Sequence, residues 1–267
     1  MEMTPMMVSP MVLLAVFFLP LFPFSMVFNA ALRAVRLVWL RAALLLIWPQ
    51  IGVWLIAGAG MHLSQAWTSA VLAWATGTSL FYAWRMLSTR DFDIWIGFYA
   101  SSAWALAWIG VIGEVSEMGL SATMTCLSVT ALALALVSHC LRNRWGDAYV
   151  GLRPGLARAM PRLGMATTLS VLAALGTPVF PVFFAMIYLL ILGNAVTVVS
   201  VLVVWLLWSW AGAQIWQGFL FGTPHAEYVS ESAVRDDVPV FWTVLAALLA
   251  VAAIVAASFW SMTWLMH

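Results

Sequence analysis

Lysine is absent from this chain of 267 residues, and charge of either sign is scarce. Only 8% of the residues are charged and 65% are hydrophobic, whereas a soluble domain carries roughly 25% charged residues. This shortage of charge excludes a water-soluble globular protein. The net charge of +1 leaves no basic footprint for nucleic acid. We therefore predict an all-α, polytopic integral membrane protein with membrane lipid, and no nucleic acid, among its partners.

Sequence signatures of common enzymes and metal sites are also missing. The chain has no G-x-S-x-G, P-loop or G-x-G-x-x-G motif, and no histidine pair or Cys/His/Asp cluster with metal-ligand spacing. The two cysteines, Cys126 and Cys140, would lie about 21 Å apart along one helix, too far for a disulfide. We expect no catalytic residue, metal or cofactor in this chain. It would be a non-catalytic subunit if it belongs to an enzyme or transporter complex.

Long apolar runs dominate the remaining sequence. A window of about 19 residues indicates about eight membrane spans. The first run is too long, and its start too poor in basic residues, for a cleavable signal peptide. The predicted spans are 8–31, 38–60, 66–88, 93–113, 119–141, 163–192, 195–218 and 239–265.

The arginines predict how these spans are oriented. All 11 fall on one side of the predicted spans, whereas the opposite loops hold Glu114 and Glu117 but no arginine. The positive-inside rule then places both termini on the outer, periplasmic side of an inner (plasma) membrane. Arg41 lies just inside the second span, and we expect its long side chain to reach the interface.

The sixth span contains LGTPVFPVFFAM at residues 175–186, a sequence that should interrupt a helix near residues 176–181. Breaks of this kind in membrane helices usually serve an ion or a substrate. No charged side chain lies between Arg162 and Glu227, however. We therefore expect apolar packing, not water, around the residues that form the break: Gly176, Thr177, Pro178 and Pro181.

Uncharged polar residues and tryptophans are the other candidates for a site. Ser128, Thr130 and Gln214 could line a polar path, although hydroxyls in membrane helices mostly bond their own backbone or a neighbouring helix. The 17 tryptophans fit an interfacial belt and packing faces. An anchor that holds a quinone or lipid against Trp205 or Trp208 is a further alternative.

Four ordered stretches between residues 81 and 222 resemble one superfamily, that of the antiporter-like membrane subunits. Its members include membrane-arm subunits of respiratory complex I, Mrp-type cation/proton antiporters, membrane-bound hydrogenases and DAB-type inorganic carbon transporters. The stretches are FYAWRMLSTRDFDIWIGFYASS (81–102), GLSATMTCLSVTALALALVSHCLRNRWGD (119–147), GLRPGLARAMPRLGMATTLSVLAALGTPVFPVFFAMIYLLI (151–191) and WSWAGAQIWQGFLFG (208–222).

The resemblance implies a truncated member that lacks the ionisable residues of a proton path. Residues 1–65 would form an N-terminal helix pair, and residues 66–267 a six-helix region like the C-terminal part of these subunits. The helices that carry the family's central glutamate and lysines have no counterpart. Asp91 matches a family acid, Ser128 lies near the position of a family histidine, and Met186 takes the position of the acid that follows the broken helix.

We therefore predict an accessory, proton-inactive subunit that scaffolds a larger proton-coupled complex. Its expected partners are a full-length antiporter-like subunit and a soluble or peripheral catalytic subunit. By analogy, the complex could be a DAB-type system for uptake of CO2 or bicarbonate. The alternative is a proton- or cation-translocating subunit of a complex I-like, hydrogenase-type or Mrp-type assembly.

Overall fold

The computed structural model describes residues 10–59, 65–152 and 154–222, and these residues are mainly helical. Within them, the one β pairing is an isolated bridge between Asp91 and Tyr149, so the predicted all-α class is confirmed. The predicted eighth span lies outside the described residues, and the count of eight stays a prediction. The helices are α1 (Pro10–Phe18), α2 (Ser25–Ala34), α3 (Val38–Ala59), α4 (Gln65–Ser88), α5 (Phe92–Ala105), α6 (Ala107–Ile112), α7 (Glu117–Trp145), α8 (Leu156–Ala159), α9 (Pro161–Ala174), α10 (Pro181–Leu192) and α11 (Ala195–Leu220).

Four helical segments in the described part of the chain are long and apolar enough to cross a membrane. They contain 21 to 29 residues, and about 20 residues are enough to span the hydrocarbon core. This finding agrees with a multi-pass membrane protein. The four segments are Val38–Ala59, Phe92–Ile112, Glu117–Trp145 and Ala195–Leu220.

The predicted first span, residues 8–31, is not one continuous helix in its described part. Two helices, α1 and α2, occupy this region, and a turn at residues 19–24 separates them. Pro20 and Pro23 lie in the turn, where each removes a backbone donor that a continuous helix would need. The nine residues of α1 extend about 14 Å, which is less than half the hydrocarbon thickness.

Helix α7 lies at the centre of the bundle and packs against α3, α5, α9 and α10. A polar contact fixes its register against α3. The Gln50 amide donates to the Ser121 carbonyl at 3.1 Å and accepts from the Ser121 hydroxyl at 2.7 Å. In apolar surroundings such bonds hold two helices together.

The predicted break in the sixth span is present. Helix α9 ends at Ala174, and α10 begins at Pro181. Gly176 lies between them with a φ of 66°, a left-handed conformation that glycine adopts without the steric cost of a Cβ atom. Pro181 is the first residue of α10, where its missing N–H costs no helical hydrogen bond.

Candidate functional site

Three charged side chains meet where α3 and α5 begin and α7 ends. Asp93 Oδ1 lies 2.8 Å from Arg41 Nη2, and Asp93 Oδ2 lies 2.5 Å from Arg142 Nη2. The Ser138 hydroxyl also donates to Asp93 Oδ1 at 2.7 Å. The side chains of Arg41 and Asp93 are each only 6% exposed, whereas that of Arg142 is 45% exposed. We call these four residues the charged cluster.

The local sequence explains why Asp93 reaches this position. Asp91 caps α5, because its Oδ1 accepts from the backbone N–H groups of Asp93 at 2.9 Å and Ile94 at 3.2 Å. This cap starts the helix at Phe92 and places Asp93 in its first turn. A carboxylate at a helix N-terminus and a cation at a C-terminus, here Arg142 on α7, both interact favourably with the helix dipoles.

The charged cluster corrects the expectation for Arg41. Its guanidinium is not exposed at the protein surface; it is buried against Asp93. Sequence reasoning singled out Asp91 and missed Asp93, although a signal was present. Arg41 and Asp93 are opposite charges inside two apolar runs, at ends that the arginine pattern places on the same side. A buried charge needs a partner, and each is the other's partner.

The charged cluster links three helices through ion pairs. Among the residues that the structure describes, Arg41 and Asp93 are the only buried charged side chains. The Asp93 carboxylate faces two guanidinium groups, one of them buried. Because an uncompensated buried charge is costly, the arrangement is suited to holding α3, α5 and α7 together.

The two helix breaks contain no charge, and indole N–H groups bind their backbone carbonyls. At the break between α9 and α10, Trp205 Nε1 donates to the Leu175 carbonyl at 2.6 Å. At the break between α1 and α2, Trp108 Nε1 donates to the Leu19 carbonyl at 3.1 Å and Trp74 Nε1 to the Phe22 carbonyl at 2.6 Å. A helix break leaves carbonyls without intrahelical partners. Here the indole N–H of a tryptophan is the hydrogen-bond partner.

Apolar side chains pack on one side of the second break, where Gly176 is buried, whereas Pro178 and Val179 are exposed. Met186 is completely buried on α10, and the ring of Phe183 lies 5.9 Å from that of Trp205. A Cβ atom at Gly176 would lie 3.1 Å from Trp205 Nε1, so the break and the tryptophan fit closely. The Thr177 hydroxyl donates to the Leu172 carbonyl at 3.2 Å. The role of Met186 as the position of a lost acid stays a prediction.

The three residues of the candidate polar path do not line one common feature. Ser128 is fully buried and accepts from Trp104 Nε1 at 3.2 Å, whereas Thr130 donates to the carbonyl of Cys126 in its own helix. Gln214 is exposed on α11, where it lines a cavity to which neither of the other two contributes. Each of the two α7 hydroxyls thus already has a partner within the protein.

Trp205 and Trp208, the candidates for an apolar ligand site, also have hydrogen-bond partners in the protein. Trp208 is completely buried, and its Nε1 donates to the Ser102 hydroxyl at 3.0 Å. Within the described part of the chain, no group of three or more His, Cys, Asp or Glu side chains is arranged to hold a metal ion.

Comparison with known proteins shows where a similar helical arrangement occurs. No protein-family model matches the chain. An uncharacterized protein of Aquifex aeolicus (strain VF5) is 24% identical over 209 residues, which are 78% of this chain and 84% of that protein. A chain of the respiratory complex I from Thermus thermophilus superposes with a TM-score of 0.74 over 93% of this chain, at 18% identity.

Two further solved complexes contain a similar chain. That of the Mrp complex from Dietzia sp. DQ12-45-1b has a TM-score of 0.73 over 95% of this chain, at 16% identity. That of the archaeal membrane-bound sulfane sulfur reductase has a TM-score of 0.77 over 94%, at 17% identity. The chain shares its fold with these chains of membrane complexes. It spans only 57%, 56% and 53% of the three solved chains, so the shared fold covers little more than half of their length.

Proposed function

We propose that this chain is an accessory, proton-inactive antiporter-like subunit that scaffolds a larger proton-coupled membrane complex. The observation that carries the proposal is that the Asp93 carboxylate and carbonyls at the helix breaks already have partners within the protein. The buried carboxylate of Asp93 is bound by two guanidinium groups, and indoles bind the carbonyls at both helix breaks. A proton path needs titratable groups that can exchange partners inside the membrane.

The outer surface supports a role in assembly. Trp39 and Trp54 on α3 are 84% and 67% exposed, and Leu206 and Trp210 on α11 are 66% and 61% exposed. In a membrane protein such faces contact lipid or other subunits. The solved chains of the same fold belong to multi-subunit complexes, and the matched part covers only 57%, 56% and 53% of their lengths. A full-length antiporter-like subunit is therefore the partner that we propose.

The membrane location, the side of the termini and the remaining partners are inferred from the sequence and belong to the same proposal. The arginine distribution supports an inner-membrane location with both termini on the periplasmic side. A soluble or peripheral catalytic subunit would complete the complex, for which DAB-type inorganic carbon uptake is one candidate. This chain would contribute no catalytic residue and no cofactor.

One observation favours the alternative, a subunit that translocates protons or cations. Asp93 is a carboxylate buried near one end of a bundle whose fold matches chains of respiratory and Mrp complexes. Intramembrane carboxylates often mark ion pathways. In that case a partner chain would complete the path, and Ser128, Thr130 or Gln214 would contribute to it.

The test uses the intact complex. An affinity tag on this chain should recover a full-length antiporter-like protein in stoichiometric amounts from gently solubilised membranes, as measured by mass spectrometry. In the recovered complex, Ser128→Leu, Thr130→Leu and Gln214→Leu should each leave transport unchanged. Loss of transport with unchanged assembly would favour the alternative, and a chain that is purified only as a monomer would contradict the scaffold role.

A further inference from the structure

A cavity of about 610 Å³ lies beside the end of the bundle that carries the charged cluster, and it is partly open to the outside. The end of α4, the start of α5, the last turns of α11 and the loop at residues 149–151 enclose it. Its volume falls within the range of small-molecule and cofactor sites. The charged cluster does not line it.

The lining carries one positive charge and several uncharged hydrogen-bonding groups. Arg90, Gln214 and Gln217 all line the cavity, and all three are exposed. None of the described residues that line it is acidic. In the described part of the chain, the Arg90 guanidinium forms no ion pair. The cavity therefore has the charge and donors for a monoanion.

A buried donor without a partner provides a second, independent observation. Trp95 lines the same cavity and is 1% exposed. Among the described residues, its indole N–H has no hydrogen-bond partner, whereas several other tryptophans donate to carbonyls or hydroxyls. Leaving a buried N–H unsatisfied is costly, and an acceptor that reached this N–H from the cavity would remove that cost.

The walls of the cavity are held in place by the backbone. The Val150 N–H donates to the Arg90 carbonyl at 2.8 Å, and the Phe92 N–H to the Ala148 carbonyl at 3.0 Å. These bonds join the α4–α5 connection to the 149–151 loop. Gly218 lets this loop approach α11, because a Cβ atom there would collide with the Val150 side chain. These contacts fix the walls of the cavity.

We infer that this cavity binds the phosphate group of an anionic phospholipid. Arginine pairs with phosphate through two parallel N–H donors, and Gln214, Gln217 and Trp95 can supply further donors. Met86 and Ile215 add an apolar wall that suits the glycerol and upper acyl carbons. Basic pockets between membrane helices are suited to acidic lipid headgroups. Gln214, considered above for a polar path, would instead be a lipid ligand. This inference does not depend on the accessory role.

The experiment compares three ligands on the full-length chain, purified in a neutral detergent and stripped of lipid. Phosphatidylglycerol, phosphatidylcholine and inorganic phosphate are each titrated while the unfolding temperature is followed, because a ligand that binds the folded state raises that temperature by mass action. We expect phosphatidylglycerol to raise it most. An equal effect of phosphatidylcholine would overturn the inference, and an effect of inorganic phosphate alone would overturn the assignment to a lipid.

Matched variants locate the binding site. Arg90→Gln should weaken phosphatidylglycerol binding about tenfold or more, since it removes charge-assisted hydrogen bonds. Trp95→Phe should weaken it by a smaller factor, and Arg90→Lys should restore part of the loss.

The control is Arg158→Gln, which removes an exposed arginine outside the cavity and should leave affinity for phosphatidylglycerol unchanged. Equal weakening by Arg90→Gln and Arg158→Gln would indicate non-specific attraction and overturn the site. The wild-type comparison of lipids decides the matter even if Arg90→Gln fails to fold.

Discussion

The charged cluster and the two helix breaks place polar groups inside an apolar bundle in different ways. In the charged cluster, ionised side chains from three helices compensate one another. At the breaks, which lie at residues 19–24 and 175–180, the polar groups are backbone carbonyls, and their partners are neutral indole N–H groups. Broken membrane helices commonly expose such carbonyls to ions. Here indole N–H groups donate to them.

The difference between the two regions has a functional meaning. Among the described residues, buried charge occurs only in the charged cluster, where it joins helices, and the residues of the two breaks carry no charge. A fold does not by itself fix the function of its polar groups. Three pairs of variants test whether charge and indole bonding play these separate structural roles.

The largest effect is expected at Asp93. Asp93→Asn leaves Arg41 buried without a counter-charge and should lower the free energy of unfolding by about 3–5 kcal/mol, as measured by denaturant unfolding in detergent. Asp91→Asn is the matched control, because asparagine caps helices as well as aspartate does, and stability should hardly change. Equal losses in the two variants would contradict the structural role assigned to the charged cluster.

A smaller effect is expected at Trp205. Trp205→Phe keeps an aromatic ring but leaves the Leu175 carbonyl at the break without its indole donor. The free energy of unfolding should fall by about 1–3 kcal/mol, the cost of an unsatisfied buried polar group. Trp210→Phe removes an indole N–H from the same helix at a 61% exposed position and should change stability by less than about 0.5 kcal/mol. If Trp205→Phe leaves the free energy of unfolding unchanged, another donor must already bind the Leu175 carbonyl.

The smallest effect concerns the backbone of the second break. Gly176→Ala forces a side chain into a left-handed conformation and should destabilise by about 1–2 kcal/mol. Gly77→Ala should have the opposite sign, because Gly77 lies within α4 with no atom within 4 Å of an added Cβ and alanine favours helix by about 0.5–1 kcal/mol. Thermal unfolding of the two variants side by side provides the measurement. Stabilisation by Gly176→Ala would contradict the left-handed geometry at the break.

Much of the fold could be predicted from the sequence, because apolar length and proline position are local properties. The LGTP and VFP residues predicted the second break, and the same reasoning applied to Pro20 and Pro23 would have predicted the first. The sequence instead predicts one span in that region, because apolar residues predominate along it and an average over about 19 residues does not detect a short turn.

The candidate site was harder to predict because its contacts join distant parts of the chain. Asp93 and Arg41 are 52 positions apart, and Trp205 is 30 positions from the carbonyl that it binds. Opposite charges inside apolar runs could have predicted the ion pair. Nothing local distinguishes Trp205 or Trp108, which bind carbonyls, from Trp210, which is exposed, because the distinction depends on how helices pack in three dimensions.

Proton flux through the isolated chain is the most direct test of the proposed inactivity. Purified protein is reconstituted into liposomes that contain a pH-sensitive dye, and a potassium diffusion potential is applied. We expect flux no higher than in protein-free liposomes, and no change with Asp93→Asn or Ser128→Leu in protein that remains folded. A potential-driven flux that either substitution abolishes in folded protein would contradict the proposal and show that the interior carries protons.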